Sequence, residues 1–173
     1  MSVRPEELRI IHYPEPILRS KAHPVPRITD EVRAVVLRMI DLMHEAPGVG
    51  LAAPQVGLPW RLFVANPTGE SGDDRVYINP VLSSPSAETD DHEEGCLSLP
   101  DILADIRRPT GITIDALDLD GNPIHESTDE FLARIWQHET DHLDGVLIID
   151  RMAGIDRLAN RRKLRELEAE GNR

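Results

Sequence analysis

A single-domain α+β fold is what this 173-residue sequence predicts, and three observations carry it. The length suits one domain and is enough to bury a real core without disulfide staples. Two segments carry apolar residues at helical spacing, and they are mixed along the chain with several short strand-like runs. No internal repeat, composition break or linker divides residues 1–173, so the charged helix-forming tail over 155–173 belongs to the same unit.

The elements follow in order. Residues 1–27 hold Pro5, Pro14, Pro16, Pro24 and Pro26, which forbid a long helix. Ile10, Ile11, Ile17 and Leu18 make that segment packed extended chain rather than a loose tail. Thr29 or Asp30 can cap a helix in which Val32, Val35, Val36, Met39, Leu42 and Met43 form one buried stripe. Pro47 and Gly48 stop it. A small-residue loop, 48–57, leads to strands over Arg61–Ala65 and Val76–Asn79. Residues 83–94 are acidic and read as a surface loop. An imperfect alternation over Ile112–Leu119 predicts a strand, turned by Asp120-Gly121 into a hairpin. Ser127 and Glu130 have capping-box spacing and open a second helix that ends near Gly145. Val146–Ile149 reads as a last strand or extended run. In the tail, Leu158, Leu164 and Leu167 fall on no single helix face.

Composition narrows the function. The chain is 40% hydrophobic and 29% charged, and with two each of Trp, Tyr and Phe its core rests on Leu, Ile, Val and Ala. Its 31 acidic residues against 19 basic give a net charge of −12, which argues against a general nucleic-acid surface, DNA included. No apolar run approaches the roughly 20 residues that span a bilayer. The N-terminal MSVRPEELRI lacks the apolar stretch of a secretory signal. These features predict a cytoplasmic protein with no membrane contact.

The densest chemistry is His138-Glu139-Thr140-Asp141-His142. On a helix the two imidazoles lie one turn apart on one face and can share a divalent cation. Glu139 reaches the open side of such a site without ligating it, as metal-assisted hydrolysis requires. Two histidines by chance on a solvated helix are the plain alternative. No third histidine follows His142, so a third ligand must come from elsewhere. The one cysteine, Cys96, cannot form an intrachain disulfide; it is an inert buried thiol, a nucleophile or a ligand in a mixed metal site. A thiolate and two imidazoles would leave a fourth position open, as catalytic sites do.

Taken together, three segments in order resemble peptide deformylase: Gly48-Val49-Gly50-Leu51-Ala52-Ala53-Pro54-Gln55, Glu94-Gly95-Cys96-Leu97-Ser98, and Gln137-His138-Glu139-Thr140-Asp141-His142. Weaker similarity extends the match to roughly 10–152, through H-Y-P-E-P-I-L and L-D-G-V-L-I-I-D-R. The resemblance implies small mixed or antiparallel sheets around a central metal-binding helix. It implies a hydrolase that removes the formyl group from the N-terminal formylmethionine of nascent polypeptides and releases formate. Cys96, His138 and His142 would hold one divalent metal ion, natively Fe(II), with zinc, nickel or cobalt as substitutes. Glu139 would be the base, Gln55 and the Leu97 backbone N–H the donors to the developing oxyanion, and Gly50 the point where substrate backbone comes close.

Other residues carry expectations of their own. Phe131 and Ile135 share the helix face of the ligands and are expected to wall an apolar pocket for a methionine side chain, closed by Val49 and Leu51. Glu94 either faces water or pairs with Arg107 or Arg108 and braces the ligand loop. Asp141 either orients an imidazole or faces solvent. His92 stands where an apolar residue is expected and either edges the pocket or is a solvated loop residue. His12, His23, His44 and His125 match no ligand position and read as structural or surface residues. Contacts beyond Pro100 do not transfer, because 101–104 is a variable tract. A metallopeptidase using the same helix, and a non-catalytic metal-binding protein, are the competing readings. The tail cations Arg157, Arg161, Arg162, Lys163, Arg165 and Arg173 make a local basic helix that could touch ribosomal RNA, or simply a solvated terminal helix.

Overall fold

Apolar periodicity and proline placement set the frame in a computed structural model that describes residues 2–172. Met1 and Arg173, the ends of the predicted unit and the last tail cation, lie outside the described residues. The Pro-rich start is extended chain with short 3₁₀ turns at Pro5–Glu7 and Pro16–Arg19, anchored by fully buried Leu18. Helix α1 (Asp30–Glu45) starts at Thr29, whose hydroxyl accepts from the Val32 N–H at 3.3 Å. Its buried residues are the six of the predicted stripe.

Seven strands follow in chain order: β1 (Gly50–Ala52), β2 (Leu62–Ala65), β3 (Arg75–Ser83), β4 (Thr89–Cys96), β5 (Leu99–Pro109), β6 (Ile112–Leu117) and β7 (Pro123–Thr128). Five make an antiparallel sheet in the order β1-β2-β3-β6-β7, while β4 and β5 pair as a separate antiparallel hairpin. Helices α2 (Phe131–Leu143), α3 (Ile148–Arg151), α4 (Gly154–Ala159) and α5 (Arg161–Gly171) complete the chain.

Both faces of the sheet are covered, so β2 is apolar throughout instead of alternating. Leu62 and Val64 pack with the α1 stripe, whereas Phe63 and Ala65 meet Tyr77, Ile135 and Trp136 under α2. A third cluster joins Leu99, Ile102 and Ile106 of β5 to Leu18, Ile148, Ile149 and Leu167, which fastens the hairpin to the C-terminal helices. Helix α2 lies at the junction, buried on nearly every side.

Several expectations need correction. The acidic 83–94 stretch is not simply a loop, because Thr89 onward is strand β4. It conceals itself by having one buried residue, Glu94, among exposed polar ones. Ser127 does not cap α2; it lies in β7 with its hydroxyl 2.7 Å from that of Thr113, and Glu130 is the N-cap without a side-chain bond. Val146–Ile149 is no strand: its end begins the short helix α3. The tail's leucines share no face because the chain breaks between α4 and α5 at Asn160. Leu164 and Leu167 therefore pack inward, and Leu158 stays exposed. The Asp120-Gly121 hairpin is present between β6 and β7, with Gly121 at φ +84°.

Candidate metal centre

Helix α2 presents His138 and His142 one turn apart, and the end of β4 brings Cys96 against them. The Cys96 Sγ lies 3.3 Å from His142 Nε2. The ligand atoms of Cys96, His138 and His142 all lie within 4.8 Å of one another. A soft thiolate and two imidazoles converging this closely fit one divalent transition-metal ion. The fit is sharpened by Glu94, whose Oε1 is 2.9 Å from His138 Nδ1. A proton held on Nδ1 leaves the Nε2 lone pair for an ion.

Glu94 is itself fixed in a buried ion network. Arg108 donates to both of its oxygens at 2.7 and 2.9 Å, and Arg134 donates to Oε2 at 2.6 Å. Burial alone would raise the Glu94 pKa, but the hydrogen bonds from His138 and Arg108 hold it well below the usual carboxylate range. Arg108 also reaches Asp141 at 2.9 Å, and Arg151 grips the same carboxylate with two bonds. Thus Arg108, not Arg107, braces the ligand loop. Asp141 orients arginines rather than an imidazole.

Glu139 is buried like Glu94 but differs from it in its partners. It is 3% exposed, and its Oε2 has no hydrogen-bond partner. Burial, helped by the charges of Glu94 and Asp141 against the opposing pull of His138 and Arg108, pushes its pKa up to about 7. A carboxyl group poised there can both take and return a proton near neutrality. Gly50 makes this position possible: a Cβ there would overlap the Glu139 carboxyl group.

Glu94, Cys96, His138 and Glu139 face a cavity of about 690 Å³. Val49, Gly50, Gln55, Leu97, Phe131 and Ile135 line it together with Cys96, His138 and Glu139. Gln55 is held by its Oε1, which accepts from the Ala52 N–H at 2.9 Å. Its amide nitrogen points to Ser98 Oγ at 3.2 Å and Cys96 Sγ at 3.6 Å. Leu51 is the exception among the expected pocket residues: it is fully buried in the α1 cluster and does not line the cavity. The strand alternation that turns Gly50 toward Glu139 turns Leu51 to the other face. His92 is exposed with its Nδ1 on the Glu93 carbonyl and away from the cavity. His12, read as structural or surface, is exposed but edges the cavity. The residue sequence reasoning missed is Arg134. It lines the cavity while bonding Glu94, Asp90 and the Ile106 carbonyl. A lone arginine inside the apolar F-L-A-R-I-W run was the available signal.

Fold and site together define a metal-dependent hydrolase. Comparison with known proteins narrows this. The sequence profile of the polypeptide deformylase family matches residues 7–158. A peptide deformylase of Rhodopirellula baltica is 45% identical over 84% of this chain and 73% of its own length. One from Pseudomonas aeruginosa is 41% identical over 91% of this chain and 94% of its own. The crystal structure of Plasmodium falciparum peptide deformylase superposes with a TM-score of 0.91 at 37% identity, covering 94% of this chain and 96% of that one. The chain belongs to the polypeptide deformylase family. The metallopeptidase and non-catalytic readings are not favoured.

Proposed function

We propose that this chain hydrolyses the formyl group from N-formylmethionyl nascent peptides, with Cys96, His138 and His142 holding the metal and Glu139 moving the proton. The observation that carries this is the convergence of three ligand atoms beside a buried carboxyl group whose Oε2 is unpartnered, with Cys96, His138 and Glu139 opening on one cavity. A divalent ion held by Cys96, His138 and His142 would supply Lewis acidity toward the formyl carbonyl and would make water more acidic. Glu139 takes the proton of the attacking water and delivers it to the departing amine. The Gln55 amide and the Leu97 backbone N–H donate to the oxyanion; one such donor is commonly worth about 3–4 kcal/mol of barrier. Gln55 is preset for this, because the Ala52 N–H fixes which end of the amide faces the site. Its contact to sulfur is a weak one to exchange for an oxyanion. Ile135, Phe131 and Val49 make the apolar wall for a methionine side chain.

Fe(II) is the proposed native ion, with zinc, nickel or cobalt as substitutes, since thiolate and imidazole suit all four. An Fe(II)–thiolate site is oxygen-sensitive, which fits a reducing cytoplasm. Among the described residues no helix is long and apolar enough to cross a membrane. For the ribosome, the support is α5: Arg161 and Arg165 are exposed and have no ion-pair partner among the described residues, whereas Arg162 pairs with Glu166. Co-sedimentation should weaken for Arg161→Glu/Arg165→Glu; equal pelleting removes the idea.

The deciding experiment is formate release from a formyl-Met tripeptide by protein purified without oxygen, alongside metal analysis. Glu139→Gln should keep the metal and lose about 10²–10⁴ in turnover. No formate at full metal occupancy in the native protein would refute the reading.

A further inference from the structure

Strand β5 pairs with β4 on one side only, so its other edge should present unpaired backbone groups. Along 101–105 that edge is taken instead by three side chains of the C-terminal segment. Lys163 Nζ donates to the Asp101 carbonyl at 2.5 Å, Asn160 Nδ2 to the Leu103 carbonyl at 2.9 Å, and the Asp105 N–H donates to Asp156 Oδ2 at 3.3 Å.

The spacings match two different periodicities. Residues 101, 103 and 105 turn their backbone groups to the same edge, as strand alternation dictates. Residues 156, 160 and 163 lie four and three apart across the α4–α5 junction, where the Asn160 N–H still donates to the Asp156 carbonyl and the Leu164 N–H to the Asn160 carbonyl, so the spacing of one helix face carries through. Seven helical residues rise about 10 Å, and four strand residues about 13 Å. The two rows therefore run side by side in opposite directions, and the long lysine makes up the difference. Asn160 is 5% exposed and also donates to the Asp156 carbonyl, so its amide is fixed at the centre of the row.

The clamped segment is a wall of the active cavity, for Asp101, Ile102 and Leu103 all line it. Asp101 has φ +62°, a left-handed backbone rarely adopted outside glycine and held only where the surroundings impose it. The Lys163 bond falls on the carbonyl of that residue. Leu103 is 54% exposed at the same rim.

We propose that Asp156, Asn160 and Lys163 form a clamp on the 101–105 rim and act as positioning residues for the peptide that follows the formylated methionine. This rests on the deformylase reading above. The methionine pocket and metal ligands come from β1, β4 and α2, so the clamp acts on the length of substrate recognised rather than on the chemistry.

The test compares full-length, metal-loaded native protein with Asn160→Leu, Lys163→Met and Lys163→Arg. Substrates are a single-residue formyl-methionine amide and a formyl-Met tetrapeptide, and hydrogen exchange is followed at amides 101–105. Each lost bond should raise KM for the tetrapeptide about fivefold, leave kcat and the short substrate unchanged, and speed exchange at the rim. Lys163→Arg should behave as native, because a guanidinium still donates. Lys163 is exposed, so its variants read the clamp even if Asn160→Leu unfolds. Equal losses on both substrates, or an unchanged tetrapeptide KM, would overturn the clamp while native turnover left the deformylase reading standing. Native protein inactive on both substrates would overturn both.

Discussion

Helices α1 and α2 cover opposite faces of one sheet, yet they are built on opposite terms. Helix α1 buries a single apolar stripe and keeps its charged groups at the surface, with Arg38 Nε the one α1 side-chain atom found buried and unpartnered among the described residues. Helix α2 buries Arg134, Gln137, Glu139, Thr140 and His142 along with its apolar residues. Burying such groups is expensive unless each is paired. The pairing comes from outside the helix, mostly from the β4–β5 hairpin through Glu94 and Arg108. One helix is therefore autonomous in its stability, and the other depends on a hairpin that itself needs the helix. Among the described residues of α2, Trp136 Nε1, Glu139 Oε2, Thr140 Oγ1 and His142 Nδ1 stay without a hydrogen-bond partner, and Glu139, the one carboxyl group among these four, is the residue proposed above for the proton transfer.

Breaking that dependence should have the largest effect. Glu94→Gln removes the charge shared by Arg108, Arg134 and His138, and should cost about 3–5 kcal/mol in denaturant unfolding. Metal affinity should fall about 10–100-fold as His138 loses its anchor; competition against a chelator measures it. The matched cut in α1, Met39→Ala, removes a fully buried side chain and should cost about 2–5 kcal/mol. Its turnover and metal content should stay native, since none of the metal ligands and neither Glu94 nor Glu139 belongs to that cluster, which meets the cavity through Leu97. A Met39→Ala protein that lost metal would dissolve the contrast.

A smaller effect sharpens the contrast through pH. In metal-free protein Glu139 stays protonated to about pH 7, while the unfolded chain releases that proton at the ordinary carboxylate value. Between those values the native state binds more protons, so stability falls as pH rises. Glu139→Gln escapes this, and its melting temperature should match the native chain near pH 4 and exceed it at pH 8. By linkage the gain is about 1–3 kcal/mol. An equal difference at both pH values would contradict the buried, unpaired carboxyl group.

What could be read from sequence follows the same division. Helix α1 is legible because burial and periodicity coincide, down to the Thr29 cap. The three motif segments are legible because their chemistry is dense. Strand β4 was not, since its inward position is a glutamate satisfied by arginines, so no apolar alternation marks it. Strand β5 swaps the usual signals as well: Arg108 faces in and Leu103 faces out. Phe131 and Ile135 were placed on the cavity by helical spacing alone. Leu51 was misplaced because strand alternation, not motif membership, decides which way it points.

Cys96 is the chain's one thiol, and it sits half-exposed at the cavity. Any thiol-directed reagent thus reports on a single atom. An alkylating fluorophore would titrate the empty fraction of a preparation against the filled one, residue for residue. On the proposed reading, the same atom is where an oxidant would silence the molecule, with no bystander cysteine to absorb the damage first.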